Sequence, residues 1–229
     1  MWQSFLYFLF NILIFLYQTI AFSDLGVAII LLTILIRLAL VPLFYKGAKS
    51  QMIMQKIQPK LQQIQHDHKD NKEKQAQAMM ELYKQHKVNP FSGILLLFAQ
   101  LPVFIALYSL FINFSKFSLD NLYGFVSRPD HLQLLSFDLI DLRNSNIIIV
   151  GLAALAQYFQ GYLTLPKSEP GKPVSGAEKI GKQMVFMGPI ITLVILWKLP
   201  AAIGIYWLTN SIFSVAQQIY INKKVKIDV

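Results

Sequence analysis

The stretch Leu25–Tyr45, LGVAIILLTILIRLALVPLFY, decides the fold. It is long enough to cross a hydrocarbon core, which takes about 20 apolar residues, and Arg37 is its one charge. Insertion scales place an Arg at mid-helix at about 2.5–3.5 kcal/mol, so something local must compensate. Thr33 stands one turn away on the same face and extends the polar spot. From Arg37 to the end of the apolar run near Phe44 is about 10 Å of helix rise. Snorkelling covers much of that distance but not all of it. The side chain is therefore either an anchor near a helix end or a charge facing a hydrated cavity, and the apolar residues on both sides favour the cavity.

Working outward, the whole chain has the composition of a membrane protein. Of its 229 residues 55% are hydrophobic and only 14% charged, with a mean hydropathy of +0.46. Soluble domains carry about 25% charged residues. Four further segments suit a bilayer, at 92–114, 146–165, 183–199 and 200–221. The last two are separated only by Lys198-Leu199-Pro200, which implies a hairpin turn. The expected architecture is all-α, with five transmembrane helices around a hydrophilic groove. Residues 1–24 stand apart from these. In the run 2–22, Ser4, Asn11 and Gln18 recur every seven residues, in line with Gln3 and Tyr7. The run is long enough to span, but a weak polar stripe with flanking aromatics suits a helix lying in the interface. No signal peptide is expected at this end.

Charge sets the expected orientation. Residues 46–90 carry nine Lys and no Arg, and the 166–182 loop carries four Lys. The tail adds Lys223, Lys224 and Lys226, whereas Lys116, Arg128 and Arg143 in the 115–145 loop face four Asp. Placing the Lys-rich segments and the C-terminus in the cytoplasm satisfies every loop, with the N-terminus outside. The net charge of +9 is then explained by anionic lipid, with no nucleic acid recognised directly. The segment 46–91 reads as a two-helix cytoplasmic hairpin. Met52, Ile53, Met54, Ile57, Leu61 and Ile64 form one apolar seam, and Ala76, Met79, Met80, Leu82 and Tyr83 form the other. The polar run His66–Lys72 breaks the two, and Pro59 should kink the first helix. Residues 92–229 hold the remaining spans, their loops and a short tail.

Other spans carry polar residues as well. Gln100 precedes Pro102, and Gln157, Gln160 and Thr164 share a face. The last span holds Tyr206, Asn210, Ser214 and Gln217 at spacings of four, four and three. Any one of these is as well explained by interhelical hydrogen bonding as by a cavity. Several stripes beside an Arg with no acidic partner in any span favour a cavity that attracts negative guests. With no bidentate partner expected, lysine should largely replace Arg37.

Catalysis finds little support, and the chain is read as not an enzyme. All four His lie in loops, so no membrane-depth base exists. His66 and His68 beside Asp67 and Asp70 read as a solvated hairpin tip. The chain has no cysteine and no Gly-rich loop ending in Gly-Lys-Ser/Thr, which excludes thiolate chemistry and ATP use by this chain. No metal or cofactor is expected.

Taken in order, these segments resemble the YidC-type family of membrane protein insertases over nearly the whole chain. The resemblance rests on Thr33–Arg37 with Pro42, Gln58-Pro59-Lys60-Leu61, Met80–Lys84 and Lys87–Pro90 with Gly93. Gln100–Phe104, Ala106-Leu107-Tyr108, Pro200, Tyr206-Trp207 and Gln217-Gln218 complete it. It implies a bacterial inner-membrane protein whose groove, open to cytoplasm and lipid, draws in nascent membrane proteins without ATP. The implied groove residues are Arg37, Thr33, Gln100, Gln157, Tyr206, Trp207 and Asn210. Pro59, Lys60, Tyr83 and Lys84 fall in the receiving hairpin. The lipid bilayer is an implied partner, and the Sec translocon, the ribosome and a targeting receptor remain open ones. This chain has Ile94-Leu95-Leu96 where the family often has Cys and Pro. Two further expectations are the lack of a large extracytoplasmic domain and a tail too short for ribosome binding. The rival reading is a small transporter or channel for anionic solutes. No internal repeat of the transporter kind is found.

Overall fold

A computed structural model describes residues 1–112, 119–165 and 176–224, and these are mostly helical. Helix α1 (Trp2–Thr19) is followed by α2 (Leu25–Lys56), α3 (Gln58–Asp67), α4 (Lys72–Gln85) and α5 (Ser92–Ile112). A two-stranded hairpin, β1 (Leu135–Ser136) and β2 (Ile140–Asp141), precedes α6 (Ile147–Leu163), α7 (Gly176–Leu196) and α8 (Ala201–Lys224).

Helix α2 overturns one expected boundary. It has 32 residues and runs without a break through Pro42, Lys46 and Lys49 to Lys56. At 1.5 Å per residue it is about 48 Å long, well beyond a hydrocarbon core of about 30 Å. Helical hydrogen bonding is indifferent to whether side chains meet lipid or water, so the change of polarity at residue 46 leaves the backbone unbroken. Among the described residues α2 is the one helix both long and apolar enough to cross a membrane. Phe98–Ile112, Ile147–Leu163 and Lys182–Leu196 are shorter apolar runs.

The expected two-helix hairpin is α3 against α4. Its seam is Ile57, Leu61, Leu82 and Val88, with Ile53, Met54, Ile64, Met79 and Tyr83 packed alongside. Pro59 does not kink a helix. It lies in the first turn of α3, just past the end of α2 at Ile57. The missing N–H costs nothing there, because first-turn donors have no intrahelical acceptor. Asn71 caps α4 by accepting from Lys74 N–H at 3.0 Å.

The main core joins α1 to the first turns of α2, the last turns of α5 and the start of α8. It is built from Leu6, Leu9, Phe10, Leu13, Ile14 and Tyr17 against Leu25, Ala28, Ile29, Leu32, Ala106, Leu110, Ala201 and Ala202. The centre of the expected polar stripe on α1 points inward. Asn11 is only 1% exposed, donating to Tyr7 O at 2.8 Å and accepting from Tyr123 N–H at 2.6 Å. Tyr17 accepts from Gln133 N–H at 3.1 Å. Helix α1 is thus tied at two points to the segment between α5 and α6.

That segment is pinned to α2 by Asp24, the N-cap residue. Its carboxylate accepts from Val27 N–H at 3.0 Å, the Ser136 hydroxyl at 2.6 Å and Phe137 N–H at 2.6 Å. Burial works to raise its pKa. The bonds from Phe137, Ser136, Val27 and Gly26 outweigh burial and hold the group below its ordinary value. Gly26 lets the two parts meet, since a Cβ there would overlap the Ser136 side chain. Phe22 and Ser23 before the cap take φ of 52° and 57°, a left-handed turn that non-glycine residues rarely adopt.

Helices α6, α7 and α8 pack side by side, and α8 also lies along α2. The first N–H groups of α8 are satisfied by loop carbonyls, Ala201 by Asn144 at 2.8 Å and Ala202 by Leu142 at 3.2 Å. Gly204 on α8 meets Ile149 on α6, where an added Cβ would lie 2.8 Å from Ile149 Cγ2.

Candidate functional site

The packing of α2 along α8 places Arg37 against the polar stripe of α8. Arg37 is 4% exposed. Its Nη2 donates to Ser214 Oγ and to Gln217 Oε1, both at 2.9 Å. The Ser214 hydroxyl hydrogen is given to Asn210 O at 2.9 Å, which leaves its oxygen free to accept from the guanidinium. The guanidinium carbon lies 4.2 Å from the centre of the Phe44 ring and 5.0 Å from that of Phe213. The charge is therefore compensated by two neutral acceptors and two aromatic faces. No acidic group pairs with it among the described residues, and Nε and Nη1 make no hydrogen bond there.

A narrow cleft adjoins this group, lined by Thr33, Arg37, Phe44, Gln100, Tyr206 and Asn210 with apolar neighbours. Its free space is about 10 Å³, close to what one water requires. Five of the seven expected groove residues therefore meet. Thr33 is buried, but its hydroxyl donates to Ile29 O at 2.7 Å, so only its oxygen faces other partners.

The other two lie elsewhere. Gln157 accepts from the Ser211 hydroxyl at 3.0 Å and packs on Gly188, joining α6, α7 and α8. This is the interhelical hydrogen-bonding role that polar span residues often take. Trp207 turns to Phe104 in an edge-on contact at 5.5 Å and packs with Ile203 and Leu196. In the hairpin, Pro59, Lys60 and Lys84 are exposed, while Tyr83 is half-buried on the seam.

Sequence reasoning placed Ser214 and Gln217 on the right stripe without naming them as the Arg37 partners. Their spacing, Ser214 four residues after Asn210 and Gln217 three after Ser214, was the available signal. Phe44 and Phe213 gave none, because apolar residues in an apolar run look alike. The expectation that lysine would largely replace Arg37 holds if charge alone matters, and the contacts of Arg37 involve more than charge. Two rings centred within 5.0 Å of the guanidinium carbon and two acceptors on one nitrogen suit a guanidinium better than an ammonium.

A helical membrane bundle with a cation buried between two of its helices is the class defined by this fold and cleft. The family described as 60Kd inner membrane protein matches residues 15–228, and the chain belongs to that family, that of the YidC-type insertases. The membrane protein insertase YidC of Nitratidesulfovibrio vulgaris strain DP4 is 35% identical over 199 residues, covering 87% of this chain and 35% of that protein. The YidC of Geobacter sp. strain M21 is 32% identical over 201 residues, covering 88% of this chain and 34% of the relative. The chain thus spans about a third of the length of these relatives. A crystal structure of an active YidC insertase with its first transmembrane domain resolved is similar, with a TM-score of 0.61 and 25% identity. The match covers 94% of this chain and 44% of the other.

Proposed function

We propose that this chain is the core of a bacterial inner-membrane insertase that receives nascent membrane proteins at the Arg37 cleft. The single observation that carries the reading is a buried cation between α2 and α8 with only neutral partners among the described residues. Such a charge attracts the acidic part of a client, and Asn210, Gln100 and Tyr206 offer hydrogen bonds in place of water. The apolar part of the client then leaves sideways into lipid, where apolar helices partition without ATP.

The same reading takes α2, α5, α6, α7 and α8 as five spans, with α1 lying on the outer surface. In support, α1 packs on α2 and α5, and Asn11 and Tyr17 tie it to Tyr123 and Gln133 of the segment before α6. Helix α8 is less apolar than an ordinary span because it carries the polar stripe, which the bundle interior compensates. The Arg143 charge on the outer loop is paired with Asp141 at 3.0 Å, which sharpens the bias of Lys towards the other side. The α3–α4 hairpin would present Lys60 and Lys84 to arriving chains in the cytoplasm. The cleft is too small for a segment, so entry requires α5 and α8 to part. A space of this size does not favour the rival reading of a solute channel.

The test is insertion of a client with an acidic translocated tail into proteoliposomes carrying Arg37→Ala. Insertion should fall severalfold, whereas undiminished insertion would sink the account. Flux of small anions without any client would instead favour the channel.

A further inference from the structure

A guanidinium offers a carboxylate two bidentate forks, Nε with Nη2 and Nη1 with Nη2. Both forks use Nη2. In this structure Nη2 is the one nitrogen already engaged, one hydrogen going to Ser214 and the other to Gln217. Neither fork is open as the molecule stands, although Nε and Nη1 make no hydrogen bond of their own among the described residues.

The two blocking groups differ in how firmly they are held. Ser214 has a short side chain, and its own hydroxyl is anchored to Asn210 O. Gln217 has three rotatable bonds, and its amide Nε2 is buried with no hydrogen-bond partner among the described residues. The Gln217 side chain is therefore the weaker closure, and one outward rotamer change would open one complete fork.

We propose that Gln217 is a displaceable latch that decides which client groups reach Arg37. The inference rests on the insertase reading and deepens it. A client Asn or Gln could form only the kind of neutral bond that Gln217 already makes, so displacing the latch gains it nothing. A carboxylate forms a charge-assisted pair, stronger than the bond it replaces, and so passes. The latch sets a threshold that acidic segments cross and neutral polar segments do not.

The experiment uses the full chain in proteoliposomes, with a photo-crosslinking residue at Val103 on the cleft wall. The probes are a single-span model client with an Asp-rich tail and its counterpart with Asn at the same positions, both at limiting concentration. Gln217→Ala removes the latch, and crosslinking of both clients should rise, by about tenfold if the bond is of ordinary strength for a charged donor. Gln217→Met, which keeps the volume, should do the same, so a packing defect cannot imitate the result. Gln217→Glu places a permanent carboxylate on the guanidinium and should lower capture of the acidic client to the level of Arg37→Ala. If Arg37→Ala lowers capture while the Gln217 variants all match the parent, the latch is wrong and the Arg37 reading stands. If Gln217→Ala and Gln217→Met lower capture, Gln217 is a client ligand and the latch is overturned. If Arg37→Ala itself has no effect, the underlying reading fails first.

Discussion

Replacing Arg37 by Lys keeps the charge and isolates the part played by the guanidinium plane. In the native site the guanidinium carbon lies 4.2 Å from the centre of the Phe44 ring and 5.0 Å from that of Phe213, and one nitrogen serves two acceptors. An ammonium group on a flexible stem can face one ring while reaching Ser214 or Gln217, but not both rings and both acceptors together. The loss is then one cation–π contact and one hydrogen bond to a charged donor. At a desolvated position these amount to about 1–2 and about 1.5–3 kcal/mol, or about 2–4 kcal/mol together after partial rearrangement. For a chain of this size that corresponds to a fall of about 5–15 °C in melting temperature. Thermal unfolding of the purified protein in detergent measures the loss directly, and insertion of the acidic-tailed client is followed in parallel. Lower melting together with reduced insertion is expected. A lysine variant that melts and inserts like the parent would refute the claim that the site is shaped for a planar cation.

Three further outcomes follow from the region around α2. Asp24→Asn should loosen the outer segment by about 1–3 kcal/mol, because the bond from Phe137 N–H loses its acceptor and the one from Ser136 loses its charge, read as faster proteolysis between Tyr123 and Arg143. Because the folded pKa of Asp24 is depressed below 3.8, its contribution is present above that value and is lost as pH falls through the folded pKa. The parent's proteolysis should therefore approach that of Asp24→Asn in strong acid, and an unchanged gap there would count against the clamp. Gly26→Ala should destabilise the protein in detergent melting, since its Cβ meets the Ser136 side chain, and Ser136→Gly should restore much of the loss; additive damage would refute the contact. Pro59→Ala should change melting by less than about 1 kcal/mol, because the ring begins α3 and kinks nothing, whereas a large change would revive the kinked helix.

How much of the cleft was legible depended on how far apart its parts lie in the chain. Arg37 announced itself, because a charge inside an apolar run is costly whatever surrounds it. The stripe Tyr206–Gln217 was visible as a local period. What joined them was not visible, since Ser214 and Gln217 stand 177 and 180 residues from Arg37. Gln157 shows the converse. Its polarity marked it for the groove, yet the approach of α8 gave it Ser211 instead.

The sequence by itself determined the apolar helical segments, the seam of the α3–α4 hairpin and the need to compensate a charge at Arg37. These follow from local spacing, turn chemistry and the cost of moving single side chains out of water. Only the tertiary structure decided which neutral groups and rings hold that charge, and that Asn11 turns inward to the outer segment. It alone decided that α2 continues ten residues beyond Lys46. Each of these turns on which of several equally polar or equally apolar neighbours is brought within reach. Packing between distant helices settles that choice, and no local pattern records it.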